Sequence, residues 1–469
     1  MRALSFCLIF LFYQTATAAP TVYLPIGSDR HLDLQIDRLF AQTGGTPLTK
    51  PYAISEIQLA LEKIKHSRPA LYQSINRQLA RYSGDGKISR IGVTMRHTSR
   101  DGEPMANQRG LTSDSSVQGL FEAVWRPNDY MLTQLGWDYR INIGNLAPYN
   151  TFVAFSAGNL QLDLGYREHW HSPFKHSAQL ISSNAKMGPS ITLSNRVPAR
   201  GWWHLDFDIF YTRLDRVKRG ISYQGEWYDG RPHLLGTHIG VEPIEGWKMG
   251  FNRILQFGGG PRKVSVGDIL NAFVDPASND NSYTAEQRNS EFGDQIASIT
   301  SNYRFDGHFP IEIYAELAGE DTQGASNFSL GNQATNFGIF MPQIYHNVAF
   351  RYEYNRFKTA WYTNHLYAYG NTNKGFVIGN YAADQRKFGH GVLAEIHRAS
   401  IDIFTSLDDS WGASIATINN QDKRLYDRSY ELQLEDRRIW RQHRIETAVT
   451  VGSNVYSQNY THFSFMFFW

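Results

Sequence analysis

The sequence predicts an all-β transmembrane barrel of about 18 antiparallel strands, preceded by a small periplasmic α-helical bundle. Three observations indicate this fold class: the composition, the alternation of apolar and polar residues between turns, and an aromatic strand at the C-terminus. The composition combines a mean hydropathy of −0.43 with 14% aromatic and only 19% charged residues among 469. This balance is typical of strands whose lipid-facing and water-facing side chains alternate.

The same composition argues against two other classes of protein. One long apolar run occurs, at the N-terminus, whereas a helical membrane protein needs spans of about 18 or more apolar residues. The formal net charge is +2, whereas nucleic-acid-binding domains usually carry a strongly basic surface. A large secreted all-β domain remains the alternative on composition alone.

Residues 1–18 predict a secretory signal peptide. Arg2 supplies the positive charge, residues 4–12 form the apolar segment, and the small residues Ala16 to Ala18 precede the expected cleavage site. Cys7, the only cysteine, lies within this segment, so the mature chain would have no thiol. Disulfides, zinc–thiolate sites and cysteine nucleophiles are therefore not expected.

Residues 19–86 are expected to form the periplasmic helical bundle. Apolar residues recur at helical spacing in three stretches, and Pro69 stands where the third helix should begin. The turn residues 83–86 then separate this bundle from a barrel that spans residues 87–469. The apolar positions are Leu32, Leu34, Ile36, Leu39 and Phe40; Ile54, Ile57, Leu61 and Ile64; and Leu71, Ile75, Leu79 and Tyr82.

From residue 87 onward, short alternating segments are separated by turn residues. Short turns follow the even-numbered segments and long loops follow most odd-numbered ones, as in outer-membrane barrels with short periplasmic turns. Reading 389–406 as one strand keeps the total even, at about 18. The expected strands are 87–97, 116–125, 130–140, 151–157, 160–167, 191–196, 202–213, 233–241, 247–255, 295–305, 310–318, 345–354, 359–367, 389–406, 411–418, 429–436, 442–451 and 460–469.

The last strand carries a row of aromatic side chains. Phe463, Phe465, Phe467 and Trp469 alternate with other residues, which places the four rings on one face of a strand. On a soluble protein such an unpaired edge would be an aggregation hazard, whereas in a barrel it pairs with the first strand. A terminal aromatic residue is also typical of chains that the barrel-assembly machinery inserts, so that machinery is an expected partner during biogenesis.

Several motifs resemble the Wzi family of capsule-assembly outer-membrane proteins. Residues 253–262 (RILQFGGGPR) resemble that family's R-I-x-Q-W-G-G-x-G-R stretch, with Phe257 in place of the tryptophan. Residues 293–297 resemble its G-N-Q-x-A strand start, and residues 310–314 followed by 319–321 resemble its P-x-x-x-Y and G-E-D elements. The segment 169–173 is similar to a W-W-G-P segment that has lost its glycine. The matching motif residues are Arg253, Gln256, Gly258, Gly259, Arg262, Gly319, Glu320 and Asp321.

The resemblance implies a location and a function as well as a fold. It implies an outer-membrane barrel that binds and organises capsular or exopolysaccharide at the cell surface, in the manner of a lectin. No enzymatic activity and no cofactor are expected. The expected partners are surface polysaccharide, outer-membrane lipid and lipopolysaccharide, but not nucleic acid, and a monomer is favoured. Departures from the family pattern are concentrated in the outer loops, so the identity of the polysaccharide stays open.

Aromatic residues in or beside the expected outer loops are the candidate glycan-binding residues. Their faces can stack on the apolar C–H faces of sugars while neighbouring polar groups bind hydroxyls. For any single ring the alternative is the aromatic girdle at the lipid interface, or packing within a loop. The candidates are Trp170, Phe174, Trp227, Tyr228 and Tyr283, with Tyr345 as a further ring in or beside an outer loop.

Two further patterns have alternative interpretations. His169, His171 and His176 lie in one expected outer loop and could share a metal, but no acidic ligand is close by in sequence, so a hydrogen-bonded loop is favoured. Residues 258–260 are three glycines that could suggest a phosphate cradle, but no Gly-Lys-Ser/Thr motif follows and turning of the backbone is favoured.

Two alternative functions remain open on the sequence. A porin for sugars or anions is the first, because barrels of 16 to 18 strands are wide enough to hold a water-filled channel. Segment 256–294 bears on this choice, since its amphipathic run 264–273 could fold inward as a plug. An outer-membrane esterase or lipase is less favoured, since no G-x-S-x-G motif occurs.

Overall fold

The computed structural model describes residues 19–140, 145–274, 291–307, 309–320, 330–345, 347–441 and 443–469. They form a closed antiparallel barrel of 18 strands, as the alternation predicts. The fourth strand is broken into two segments that both pair with the third. The strands are β1 Gly86–Thr98, β2 Val117–Asn128, β3 Met131–Arg140, β4 Asn145–Pro148 and Thr151–Ala157, β5 Leu160–Tyr166, β6 Ser190–Asn195, β7 Asp206–Arg213, β8 His233–Ile244, β9 Trp247–Phe257, β10 Gly293–Phe305, β11 Ile311–Glu320, β12 Ala334–Tyr345, β13 Val348–Phe357, β14 Ala394–Phe404, β15 Ser410–Asn420, β16 Tyr430–Trp440, β17 His443–Ser453 and β18 Asn459–Phe468.

The C-terminal strand closes the barrel against the first strand. Gly92 of β1 stands opposite Phe468 of β18, and the backbone groups of Ile91 and Trp469 exchange hydrogen bonds. Gly92 permits this contact because a Cβ there would lie 2.4 Å from the Phe468 ring. Phe463 and Trp469 are exposed on the outer face, so the predicted aromatic face points towards lipid.

One predicted strand is wrong and one strand is missing from the prediction. The predicted strand 345–354 is β13 with shifted ends, whereas 359–367 is not a strand and β12 was predicted as part of a loop. Gly338 and Pro342 make the sequence of residues 334–345 resemble a loop. In the structure, Gly338 is part of the strand and leaves space for the ring of a neighbouring residue. Residues 359–367 alternate because they pack at the loop end of the lumen, where Trp361 and Tyr362 are buried. The segment 389–406 does contain one strand, β14.

Four α-helices are found in the described residues. Three precede the barrel: α1 Arg30–Thr43, α2 Ile54–Ile64 and α3 Pro69–Leu79; the fourth, α4 Val266–Val274, lies between β9 and β10. The Asp29 carboxylate caps α1 by accepting a hydrogen bond from the Leu32 N–H at 2.9 Å. None of the described helices has the length and hydropathy needed to cross a membrane.

The first helix closes the short-turn end of the barrel, which is the periplasmic end in outer-membrane barrels. Leu34 and Ala41 of α1 pack against inward-facing aromatic residues of β11, β12 and β14. A buried ion pair joins Asp37 of α1 to Arg351 of β13 at 2.9 Å. On α3, Arg77 pairs with Asp408 in the turn after β14, also at 2.9 Å. The helices are therefore docked in the mouth of the barrel.

Two loops that were not predicted to enter the barrel occupy much of the lumen. Residues 167–189 descend from the loop end until residues 170–171 pair with residues 49–50, next to the periplasmic helices. Their apolar side chains, together with those of residues 361–383, form the largest apolar cluster of the interior. The described part of segment 256–294, by contrast, does not enter the lumen, because α4 lies against outward-facing side chains of the barrel. Residues 275–290 lie outside the described residues.

Candidate functional site

A hairpin stands in the long loop between β7 and β8. Its two strands, Val217–Tyr223 and Glu226–Gly230, are joined by a turn in which Gln224 and Gly225 both have positive φ. Trp227 and Tyr228 lie on the second strand, and their side chains are 39% and 38% exposed. Neighbouring residues on a strand point to opposite faces, so the hairpin presents one ring on each face.

A segment of another loop holds this hairpin in place. Ser222 N–H donates to the Leu366 carbonyl oxygen at 2.8 Å, and Ala368 N–H donates to Gly220 at 2.9 Å. Ile221 is fully buried against Leu366 and Tyr367. The hairpin is therefore a supported platform.

Charged side chains surround the two exposed rings. Arg216 pairs with Asp229 at 3.1 Å, and the Arg219 N–H donates to the same carboxylate at 2.8 Å. This backbone hydrogen bond is the main reason that the pKa of Asp229 is lowered. The cations Arg216, Lys218, Arg219 and Arg231 outnumber the acids Glu226 and Asp229 between residues 216 and 231. The platform thus combines aromatic faces with an excess of positive charge.

The structure does not offer Trp170 and Phe174 as a sugar platform. Both are buried in the lumen, where the Trp170 indole N–H donates to the Phe174 carbonyl oxygen at 3.1 Å. The Lys50 ammonium lies 4.9 Å from the Trp170 ring centre, and burial lowers the pKa of Lys50 to about 7. These two rings fill the plug because their loop folds inward, which the sequence pattern does not reveal.

The two remaining aromatic candidates, Tyr283 and Tyr345, are not placed together with Trp227 and Tyr228 by the described residues. Tyr283 lies outside the described residues, so its prediction stays untested. Tyr345 is exposed, but it ends β12 beside the periplasmic turn and is not in an outer loop. The sequence analysis missed Tyr369, whose ring lies beside Gly220 of the hairpin and is also exposed. Tyr369 lies in a predicted long loop, and this position could have identified it as a candidate.

Two of the three loop histidines converge on a carboxylate that is distant in sequence. His169 Nδ1 and His171 Nε2 lie 3.0 and 3.2 Å from the same oxygen of Asp208. The other carboxylate oxygen lies 2.6 Å from the Arg167 guanidinium. His176 is not part of this cluster; its backbone N–H donates to the Glu353 carboxylate at 3.0 Å. Donation by both imidazoles and by Arg167 accounts for this buried network.

The family-like motif supports the hairpin from below. Gly258, Gly259 and Gly260 all have positive φ, and a Cβ on Gly259 would lie 2.7 Å from the Ile221 side chain. The Arg262 guanidinium donates to the Ser222 carbonyl oxygen of the hairpin at 3.1 Å. The three glycines therefore turn the backbone closely under the platform.

Other residues of the family-like motifs have structural contacts. The Glu320 carboxylate accepts hydrogen bonds from the Tyr362 N–H at 3.0 Å and from the Asn332 amide at 2.8 Å. Gly319 leaves space for Leu330, since a Cβ would lie 2.5 Å from its side chain. Gln256 is buried, and Asp321 lies outside the described residues.

A cavity of about 410 Å³, lined by both polar and apolar groups, remains beside the plug. Its wall is formed by β1 and β14–β18, where the Tyr460 hydroxyl donates to Glu431 at 2.9 Å and Arg398 donates to Gln433 at 3.2 Å. On β18, His462 Nδ1 lies 2.6 Å from the Thr98 hydroxyl. The side chains that line this wall include Arg96, Arg398, Glu431, Gln433, Tyr460 and His462.

Comparison with known proteins identifies related sequences and folds. The family model described as capsule assembly protein Wzi matches residues 107–392. An uncharacterized 55.8 kDa protein from the cps region of Klebsiella pneumoniae is 23% identical over 309 residues, which cover 60% of this chain and 56% of that protein. The chain thus matches little more than half the length of this relative.

Solved structures show the fold. The carbohydrate-binding β-barrel Wzi of Escherichia coli, an outer-membrane protein involved in group 1 capsule assembly, superimposes with a TM-score of 0.69 at 15% identity, covering 96% of this chain and 99% of that one. OccK3 (OpdO) of Pseudomonas aeruginosa has a TM-score of 0.49 at 9% identity, with coverages of 84% and 98%.

Proposed function

Because this chain belongs to the Wzi family of capsule assembly proteins, we propose that it acts as an outer-membrane lectin. In this role it holds capsular or exopolysaccharide at the cell surface and helps to organise it. The role requires no chemistry on the sugar and no cofactor. The polymer is bound from outside the cell, on loops that the barrel positions.

One observation carries the proposal: the lumen is filled, while a supported aromatic hairpin stands exposed at the loop end. Residues 167–189 occupy the interior from the outer loops to the periplasmic helices. A polymer would therefore contact the outer surface. There, Trp227 and Tyr228 offer rings for stacking on sugar C–H faces, and the neighbouring cations suit a polymer that carries carboxylates.

The alternative function is diffusion of sugars or anions through the lumen. The cavity of about 410 Å³ beside the plug is the feature that favours it. Passage would also require an opening past α1, whose contacts with β11–β14 close the mouth. Binding at the surface is therefore the better supported function.

The test replaces Trp227 and Tyr228 by alanine, separately and together. We expect each change to weaken retention of the organism's own polysaccharide by on the order of 1 kcal/mol, which is about five-fold in affinity, since a stacked ring is lost. Retention is measured per folded barrel, with the folded fraction taken from heat-modifiable gel mobility.

Trp125→Ala provides the matched control. Trp125 is an exposed tryptophan near the end of β2, beside a periplasmic turn. It should leave retention per folded barrel unchanged. If both hairpin variants retain polysaccharide as well as the parent, the hairpin is not the binding platform.

A further inference from the structure

Three outward-facing residues of β9 are buried although they are on the lipid side of the barrel. Asn252 points inward, where it bonds His238 and Ser298, so Phe251 points outward and is 43% exposed. By alternation, Arg253, Leu255 and Phe257 share the outward side of Phe251. All three are nevertheless buried, so another part of the chain covers the barrel here.

The cover is α4 with its flanking residues. Ile269, Ala272 and Phe273 of α4 form one apolar cluster with Leu255 and Phe257. The same cluster includes outward-facing residues of β7 and β8. Its other members are Tyr211, Leu235, Val264 and Phe292. The helix thus lies on the outside of the barrel wall.

Arg253 anchors the C-terminal end of this helix. Its guanidinium donates to the Ala272 carbonyl oxygen at 2.8 Å and to the Phe273 carbonyl oxygen at 3.3 Å, and also bonds the Gln295 side chain. A bare arginine on the lipid face would be strongly destabilising near the bilayer midplane. The carbonyl groups at a helix C-terminus carry partial negative charge and satisfy the cation.

The position along β9 gives the depth of the helix. Trp247 begins the strand at the periplasmic end. With a rise of about 3.3 Å per residue and a tilt of about 40°, Arg253 lies roughly 15 Å and Phe257 roughly 25 Å above Trp247. The apolar band of such barrels is about 25 Å tall. The helix therefore covers the outer half of the band, up to its outer edge.

The surface of α4 divides into three faces. Ile269, Ala272 and Phe273 meet the barrel. Val266 and Leu270, one turn apart, are 73% and 61% exposed. Gly267, Asp268 and Asn271 form the third face, which is also exposed and polar. A helix packed on a barrel wall at the membrane interface needs this arrangement of protein, lipid and water faces.

We propose that α4 is an interfacial helix embedded at the outer edge of the bilayer. Val266 and Leu270 contact the acyl chains of outer-leaflet lipid, while Asp268 and Asn271 face the headgroups and water. The occupant is lipid because the same outer wall, at Phe251, is exposed at membrane depth just below. The proposal is independent of polysaccharide binding.

The test places nitroxide labels on single cysteines in the full-length chain. Cys7, the only native cysteine, is replaced by serine. The labels are introduced by Val266→Cys, Leu270→Cys and Asn271→Cys, and the folded protein is reconstituted in phosphatidylcholine vesicles. Collision with oxygen, which concentrates among acyl chains, is compared with collision with a water-soluble nickel chelate.

We expect the oxygen-to-nickel collision ratio at positions 266 and 270 to be several-fold higher than at 271. It should match the ratio at Phe251→Cys, the lipid-facing control on β9. A ratio at 270 equal to that at 271 would overturn the proposal. So would shielding of 270 from both reagents with spin–spin broadening, because another copy of the chain would then cover the helix.

Discussion

The imidazole of His31 is buried where α1 meets the turn after β14. Its Nδ1 lies 2.9 Å from the Ser410 hydroxyl, and its Nε2 lies 3.0 Å from the Leu407 carbonyl oxygen. Burial, reinforced by Arg444, lowers the pKa of His31 from 6.5 to about 4. The folded state therefore binds this proton less readily than the unfolded state does. The docking of α1 should therefore depend on pH in part through His31.

The sign of that dependence follows from proton linkage. The full contribution of neutral His31 is present above pH 6.5 and is lost as the pH falls towards 4. At pH 5 the loss is on the order of 2 kcal/mol. We expect hydrogen exchange of the α1 amides, corrected for intrinsic rates, to show easier opening at pH 5 than at pH 7. His31→Gln should reduce this pH difference.

Comparing His31→Gln with the parent chain separates the pH dependence due to His31 from that due to its acidic neighbours. Arg444 and Arg81 hold the pKa of Asp29 below its usual value despite its burial, whereas burial raises the pKa of Asp33 to about 6. Both groups are present in the variant too. His66→Gln, at an exposed histidine after α2, should leave the pH difference unchanged. An identical pH difference in parent and His31→Gln would refute the linkage.

At the scale of elements, β12 shows how a strand can look like a loop in the sequence. A Cβ at Gly338 would lie 2.1 Å from the ring of Tyr314 on the neighbouring β11. That ring cannot move away, because it packs against α1 and its hydroxyl donates to Glu353 at 3.0 Å. Glycine is therefore required for lateral space within the sheet. Glycine often indicates a turn in a sequence, but at position 338 it is required because the neighbouring ring leaves no room for a side chain.

Gly338→Ala should accordingly destabilise the barrel. Because the added methyl overpacks a rigid site, we expect a loss of about 1–3 kcal/mol in the free energy of unfolding. The loss is measured as a lower urea midpoint for the heat-modifiable folded form. Gly307→Ala is the matched control, since nothing lies within 4 Å of a Cβ there. Equal midpoints for the two variants would show that the Tyr314 ring does not constrain β12.

At the scale of the whole molecule, the lumen is closed from both ends by segments far apart in the chain. Residues 49–50 from the helical part pair with residues 170–171 from an outer loop. The apolar cluster of the interior then joins residues 180–185 with residues 361–383. The interior of the barrel is thus packed with residues from its own loops and from the N-terminal helical part. This arrangement favours a binding scaffold over an open channel.

Conductance in planar bilayers tests which segment closes the barrel. The intact protein should conduct little, because 167–189 fills the lumen. Replacing residues 172–186 with a short Gly-Ser linker should open a channel. Excising residues 261–292 should not, because the described part of that segment lies outside the barrel.

Only variants that keep heat-modifiable mobility are compared, so that unfolded protein is not mistaken for a closed barrel. A large, steady conductance from the intact chain would favour the porin function. Opening by the 261–292 excision alone would show that the undescribed residues 275–290 reach into the lumen.

Local sequence patterns are sufficient to predict the barrel, its number of strands, its closing strand and the three helices that precede it. These features follow from local periodicity, since strands repeat every two residues and helices every 3.6. The strand β12 was missed because Gly338 leaves space for Tyr314, a residue on another strand. Such a demand is invisible to a local pattern.

The tertiary structure alone decided what the loops do. The apolar face of residues 264–273 has the same pattern whether it meets the lumen or the lipid side, and only contacts with Arg253 and Leu255 place it outside. The convergence of His169 and His171 on Asp208 likewise depends on where a loop enters the barrel. Periodicity reports which face of a segment is apolar, but the partner of that face is chosen by residues far away in the chain.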